Sequence, residues 1–516
     1  MLATATTAAV LGVEAHLVRV EADVAAGFPR FVMVGLPDSA VKESEARIRA
    51  ALRNCGFSFK WDRRITVNLA PASLRKHGSS FDLATAVGLL AADRAILPGP
   101  FEDALLVGEL ALDGSVRPVA GVLPMLILAR RRGLRAAIVP ASNHEEASLL
   151  PDLAVYPVGT LHETIALLTA SVPPPPPPVP EGPPAPAPAL DLAEVRGQLL
   201  ARRALEIAAA GGHNLLLSGP PGSGKTMLAR RLPGILPALR VDEAVEVAAI
   251  HSAAGCRVDA RGRTRPFRSP HHTTSHVALA GGGAVPRPGE VSLAHHGVLF
   301  LDELPEFRRH VLEVLRQPLE EGHVRISRHR GTVSLPARFQ LVAAMNPCPC
   351  GRLGSSGSGC RCTPREIQAY GGRISGPLLD RIDLYVPVSG LSFDEMSSPP
   401  GEPTRAVSQR VVEARSRQSA RQGHTGVVEN ARLSARSLRE VASPEPGAQR
   451  LLRTAVDRLG LTARGLDRLL RVARTIADLS LTKEVTECHL AEALQFRSEM
   501  SDRTDAAAFQ GIGFEA

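Results

Sequence analysis

Hydrophobic positions along this chain fall into two patterns. HLVRVEADV (16–24) sets Val18, Val20, Ala22 and Val24 in alternation with Arg19, Glu21 and Asp23, the period-two signature of a half-buried strand. SAVKESEARIRAALRNCG (39–56) starts on Ser, continues at helical spacing and stops at Gly, which predicts one helix. ITVNLAP (65–71) predicts a second strand and FDLATAVGLLAA (81–92) a second helix. ALLVGEL (104–110) and AAIVP (136–140) predict further strands with a helix between them. LLLSG (215–219), VLFLDE (298–303) and FQLVAAMN (339–346) instead carry near-continuous apolar runs. Strands of that kind, alternating with helices, predict a parallel sheet covered on both faces. From about residue 391 the pattern is helical and Arg-rich, without a strand signal. The expected fold class is α/β multidomain.

The sharpest boundary is SVPPPPPPVPEGPPAPAPAL (171–190), a tract that favours extended polyproline II over core packing and so reads as a stiff spacer. It divides the chain into an α/β segment 1–172, a linker 173–190, a second α/β segment 191–390 and a helical segment 391–516. The length of 516 residues is compatible with that many units. No run of about 18 apolar residues occurs, so no membrane span is expected. The apolar N-terminus lacks a basic start and meets Glu14 early, which argues against a signal peptide and for a cytoplasmic protein. Net charge is +8, carried almost wholly by Arg, since Lys occurs only at Lys42, Lys60, Lys76, Lys225 and Lys483. That bias has two readings: an Arg-favouring genome, or a polyanionic partner. Aromatics make up 3%, too few for base stacking to be the main mode of binding nucleic acid.

GPPGSGKT (219–226) supplies the chemistry. Gly219, Pro220, Pro221, Gly222, Ser223, Gly224, Lys225 and Thr226 complete the GxxxxGK[ST] pattern between a predicted strand and a predicted helix. The glycines let main-chain N–H groups turn towards phosphate oxygens, and the helix N-terminus adds a favourable dipole. Lys225 is expected to reach the β- and γ-phosphates of ATP, and Thr226 to help hold Mg²⁺. VLFLDE ends in Asp302, expected in the Mg²⁺ shell, and Glu303, expected to polarise the attacking water. Asn346, at the end of the next apolar strand, is placed to orient that water. Arg381 in SGPLLDRIDL (375–384) and Arg464 in TARGLDRLLRVARTIADL (462–479) are candidate cations for the transferred phosphoryl group, although surface ion pairs are the plainer reading of either.

SPHHTTSHVALAGGG, PGEVSLAHHGVLFLDELPEF, AAMNPCPCG and ISGPLLDRIDL together resemble the magnesium-chelatase-like AAA+ proteins of the ComM/YifB type, over about residues 5–500. The resemblance implies sensor 1 at Asn346, an arginine finger at Arg381, sensor 2 at Arg464, a homohexameric ring and a helical lid. It further implies a DNA helicase that promotes branch migration in natural transformation. The N-terminal part resembles the Lon protease domain. GSSFDLATA (78–86) aligns Ser80 with the nucleophile, but Leu123 in SVRPVAGVLPM (115–125) stands where the Lys base belongs. A non-proteolytic domain is therefore expected. A metal-chelatase motor subunit and an ATP-dependent protein remodeller or protease are the competing functions.

GHVRISRHRGTVSLPARF (322–339) predicts a two-stranded hairpin with Arg328, His329 and Arg330 at its tip. Such residues suit phosphate contacts to single-stranded or branched DNA, which carry no sequence information. The insertion at 257–283 is a second candidate loop. Four of the seven cysteines, Cys348, Cys350, Cys360 and Cys362, form C-x-C…C-x-C, read either as a Zn²⁺ site or as reduced structural thiols.

Overall fold

The computed structural model describes residues 1–96, 103–170, 172, 174–177, 190–258, 263–328, 331–353, 359–421 and 429–497. In the N-terminal part the strands are β1 (Leu2–Leu11), β2 (Glu14–Ala25), β3 (Arg30–Val34), β4 (Arg64–Ala70), β5 (Leu105–Leu106), β6 (Ala136–Pro140) and β7 (Ala154–Val158). They form one mixed sheet in the order β3-β4-β2-β1-β5-β6-β7. The alternation expected for 16–24 is realised: Val18, Val20, Ala22 and Val24 are all buried. Helices α1 (Ser44–Asn54), α2 (Asp82–Ala92) and α3 (Val122–Arg131) pack on the sheet. Two expectations change in detail. The single helix expected over 39–56 breaks at Glu43, leaving Ser39–Lys42 as a separate turn capped by Asp38. The run 104–110 is likewise divided: Leu105–Leu106 joins the sheet, and Glu109–Leu110 pairs with Val116–Arg117 in a small ribbon.

The second sheet contains β8 (Leu215–Ser218), β9 (Phe267–Arg268) and β10 (Val298–Leu301). The hairpin β11 (His323–Arg328) and β12 (Gly331–Pro336) follows, then β13 (Gln340–Met345) and β14 (Leu384–Pro387). The hairpin stands apart, and the other five strands are ordered β9-β10-β13-β8-β14, every pair parallel. Because β8, β10 and β13 lie inside this sheet, no position on them needs a polar side chain for solvent, which is why their sequences are continuous apolar runs. Helices α4 (Leu199–Gly211), α5 (Lys225–Ile235) and α6 (Val241–Ala254) belong to this part. The C-terminal part is helical among the described residues, with α7 (Thr404–Arg421), α8 (Pro446–Leu459), α9 (Ala463–Leu479) and α10 (Glu487–Gln495). Fully buried Arg474 on α9 is neutralised by Asp478 at 2.9 Å, and Arg421 on α7 bonds the same carboxylate. That shared charge ties the helical part together.

The N-terminal part meets the second α/β part at α6 and at the hairpin. Ala248 and Ala249 of α6 share a buried cluster with Val122, Leu123 and Leu126 of α3. At the β1–β2 turn, Gly12 lies so close to the hairpin that a Cβ there would stand 2.5 Å from Val333.

Candidate nucleotide site and its surroundings

In a parallel sheet, the strand ends at one edge collect the loops that bind ligand. The loop 219–224 leaves the C-terminal end of β8 and enters α5, whose N-cap is Gly224. Gly222 and Gly224 adopt φ of +79° and +93°, a turn that suits glycine and strains other residues. Lys225 is buried, and its Nζ donates to the carbonyls of Gly219 (2.7 Å) and Pro220 (2.8 Å) and to Asn346 Oδ1 (3.4 Å). Burial draws its ammonium below the usual Lys range, with Asp302 opposing that shift. Thr226 Oγ1 donates to Asp302 Oδ2 at 2.7 Å, so the hydroxyl and carboxylate expected around Mg²⁺ already face each other. Ser223 Oγ is buried with no partner.

These observations fit a bound triphosphate. A lysine resting on its own loop's carbonyls, an unsatisfied buried hydroxyl and a glycine turn at a helix N-terminus are the groups that phosphate oxygens would complete. Thr226 and Asp302 would hold Mg²⁺.

Glu303 directly follows Asp302 in a left-handed conformation, φ +52°, and its N–H donates to Asp302 Oδ1. Its carboxylate lies 3.1 Å from His272 Nδ1. His272 follows β9, and the pattern-based reading missed it because only the sheet order brings it to Glu303. Gln198 was also missed: at the start of α4 its Nε2 donates to Ser389 O (2.6 Å) and to Ser223 O (3.5 Å), bracing the phosphate loop.

Arg381 and Arg464 are placed elsewhere. Ser218 pairs with Pro387 and Leu215 with Leu384, so Arg381 lies at the opposite edge of the sheet from the phosphate loop. The four residues of β8 alone separate the two edges by about 13 Å. Arg381 donates to Pro377 O and Glu320, and its Nε is buried without a partner. Arg464 lines the same cavity of about 280 Å³, together with Arg432, Arg468 and Arg471. Neither cation joins Lys225 in its own chain.

The hairpin β11–β12 occupies the expected residues. Arg328 ends β11, while His329 and Arg330 lie outside the described residues. Cys348, Cys350, Cys360 and Cys362 come together, with Sγ–Sγ separations of 3.3, 3.6 and 3.6 Å among the first three. In the N-terminal part Ser80 is nearly buried. The Leu123 N–H, at the position aligned with the protease lysine, donates to Ser252 Oγ of α6 (3.2 Å) and Glu146 Oε2 (3.3 Å).

Three family models match successive segments of the chain. Residues 191–396 match the family model for magnesium chelatase, subunit ChlI. Residues 20–143 match that for subunit ChlI of Mg-chelatase, and 401–497 its C-terminal model. An uncharacterised protein of Mycobacterium tuberculosis is 46% identical over 96% of this chain and 98% of its own length. The uncharacterised protein YifB of Escherichia coli is 44% identical over 95% and 96%. The competence protein ComM of Haemophilus influenzae is 44% identical over 96% and 97%. Lon protease of Salinispora arenicola is 29% identical over 32% of this chain, a likeness that falls on the N-terminal region. Among the described residues no helix is long and apolar enough to cross a membrane. With a similarity of this extent running through all three matched segments, the chain belongs to the magnesium-chelatase-like AAA+ family of the YifB and ComM type.

Proposed function

We propose that this protein is a Mg²⁺-dependent ATPase that works as a ring, most simply a homohexamer, and moves along single-stranded or branched DNA. The observation that carries the reading is the convergence of Lys225, Thr226, Asp302 and Asn346 on one loop, with Glu303 beside them. Lys225 binds the β- and γ-phosphates and draws electron density from the bridging oxygen. Asn346 and Glu303 orient the attacking water, and Glu303 polarises it. Mg²⁺, when bound, neutralises charge on the β- and γ-oxygens. His272, with Nδ1 3.1 Å from Glu303 Oε2, is a polar side chain beside that carboxylate.

The placement of Arg381 supports the ring. An arginine at the far edge of the sheet can stabilise transferred phosphate only in a neighbouring subunit, and Arg464 shares its cavity. Support for DNA comes from the hairpin, the net charge of +8 and the name of the Haemophilus relative, a competence protein. Proteolysis is disfavoured, because Leu123 supplies no base and its amide is engaged by α6.

ATPase rate and junction unwinding are measured with no DNA, single strands, duplex and a four-way junction. DNA is expected to stimulate the wild type, and Lys225→Ala to abolish both activities. An equal mixture of Lys225→Ala and Arg381→Ala should recover roughly a quarter of the wild-type rate, since only sites with Lys225 intact and a partner's Arg381 intact are complete. Strong ATPase indifferent to DNA, with no substrate moved, would overturn the motor reading. No recovery in the mixture would overturn the shared site.

A further inference from the structure

The chain holds two clusters with metal-ligand chemistry among the described residues: Glu246–His295–His296, and the four cysteines. The first is excluded by its hydrogen bonds. The Arg338 N–H donates to His295 Nδ1 at 2.9 Å, so the ring proton of neutral His295 is on Nε2. That Nε2–H points at Glu246 Oε2, 3.1 Å away, and offers no lone pair to a metal. His295 is a buried donor to a carboxylate.

The cysteines pass the same scrutiny. Four sulfurs lie within 4.8 Å of one another, and those of Cys348, Cys350 and Cys360 are 3.3–3.6 Å apart. A tetrahedron with Zn–S bonds of about 2.3 Å has edges of about 3.8 Å, so one ion fits with small adjustments. A disulfide would need about 2.05 Å, and all four thiols are free. Four thiolates around one divalent ion leave two negative charges, and exposed Arg352, Arg361 and Arg365 neighbour them in the chain. Reduced thiols used only as small apolar groups would have no need of one shared focus.

The location gives the cluster a role. Cys348 is fully buried two residues beyond Asn346. Gly351 packs so closely on the phosphate loop that a Cβ there would lie 2.6 Å from Pro221 and 3.7 Å from Asn346. We infer that Cys348, Cys350, Cys360 and Cys362 bind one structural Zn²⁺, and that this knot fixes the Asn346 end of β13 against Pro221 of the phosphate loop. Zn²⁺ is the best match among common ions, because four soft thiolates in a closed tetrahedron select it over harder cations. The cysteines are positioning residues, and their link to nucleotide rests on the ATPase reading above.

Metal analysis and thiol titration of the purified full chain test the site without ATP. About one zinc per chain is expected, with three thiols reacting promptly and four only after a mercurial releases zinc. Cobalt exchange should give the visible bands of tetrahedral thiolate coordination. Cys362→Ser should lower zinc occupancy at least tenfold, while Cys488→Ser retains it. No stoichiometric metal, iron in place of zinc, or prompt reaction of all seven thiols would overturn the site. The coupling is read separately from binding of a fluorescent ATP analogue: zinc release is expected to weaken it about tenfold. Unchanged binding by zinc-stripped protein that is still folded by circular dichroism would overturn the coupling and leave the site standing. A wild type that binds no ATP at all would instead refute the ATPase reading.

Discussion

At the phosphate loop, Ser223 Oγ is buried without a partner and Lys225 leans on two carbonyls of its own turn. At the protease-like pocket of the N-terminal part, the Leu123 amide is already bound to Ser252 and Glu146, and α6 packs over it. Both regions are α/β and both carry a family likeness to an enzyme. They differ in what is left undone. A polar group buried without a partner costs on the order of 1–3 kcal/mol, and at a glycine turn beside a buried lysine a phosphate oxygen would relieve that cost. At the protease-like site the aligned amide is taken by the chain itself, and its interface with α6 stands there. Likeness in sequence does not separate the two sites; the bonds made by Leu123 and by Lys225 do.

The widest expected separation between the two regions comes from Glu303→Gln and Ser80→Ala. The first keeps the shape of the side chain and removes its negative charge, so kcat for ATP should fall by about 10²–10³ while nucleotide affinity persists. The second should leave ATPase and DNA activity unchanged, and neither protein should degrade a loosely folded substrate. Loss of casein cleavage in Ser80→Ala, starting from a cleaving wild type, would break the comparison outright.

How much could be read in advance followed the range of the interactions. The phosphate loop, the DE strand end, the hairpin and the buried parallel strands are local patterns, set by short spacings and continuous apolar runs. β1 escaped notice because LATATTAAVL mixes small residues and threonines with only weak alternation; its strand character comes from pairing with β2 over the whole span Leu2↔Asp23 to Leu11↔Glu14. His272, Gln198 and Ser252 carry no local signal at all. Each matters through a partner that only the fold supplies: Glu303, Ser389 and Leu123 respectively. The break at Glu43 was illegible for a related reason, since residues on either side of it favour helix equally.

A smaller effect should appear with pH, at the helix that packs over Leu123. α6 presents Glu246 to His295 and His296, just before β10. Burial holds the His295 imidazole down at about 4. An unfolded chain protonates it near 6.5, so between about 6.5 and 4 the unfolded state binds a proton that the folded state refuses. Stability is therefore complete above about 6.5 and declines as pH falls through that window, by up to about 3 kcal/mol. Glu246, held at about 2 chiefly by its bond to His295, adds a further loss only at lower pH. Denaturant unfolding at several pH values should show this slope, and His295→Gln should flatten it. An equal slope in the variant would remove His295 as its source.

The finest test is Ser252→Ala. Alanine suits the interior of α6 and takes away one hydroxyl, which accepts from the Leu123 N–H and donates to Glu146. Leu123 keeps its bond to Glu146 Oε2, and Asn143 Nδ2 still donates to Oε1 at 2.8 Å, so neither partner is stranded. The expected cost is then about 1 kcal/mol, well below that of opening a buried charge. Because the hydroxyl spans the contact between α3 and α6, the loss should appear as easier proteolytic separation of the N-terminal part, with DNA-free ATPase near the wild-type rate. A destabilisation of several kcal/mol would mean that the protease-like pocket leaves its polar groups as dependent on a single partner as the phosphate loop does, and the contrast between the two regions would disappear. No change in separation would mean that the Gly121 N–H bond to Ser252 O and the apolar contact of Leu123 with Ala248 and Ala249 suffice to close the site.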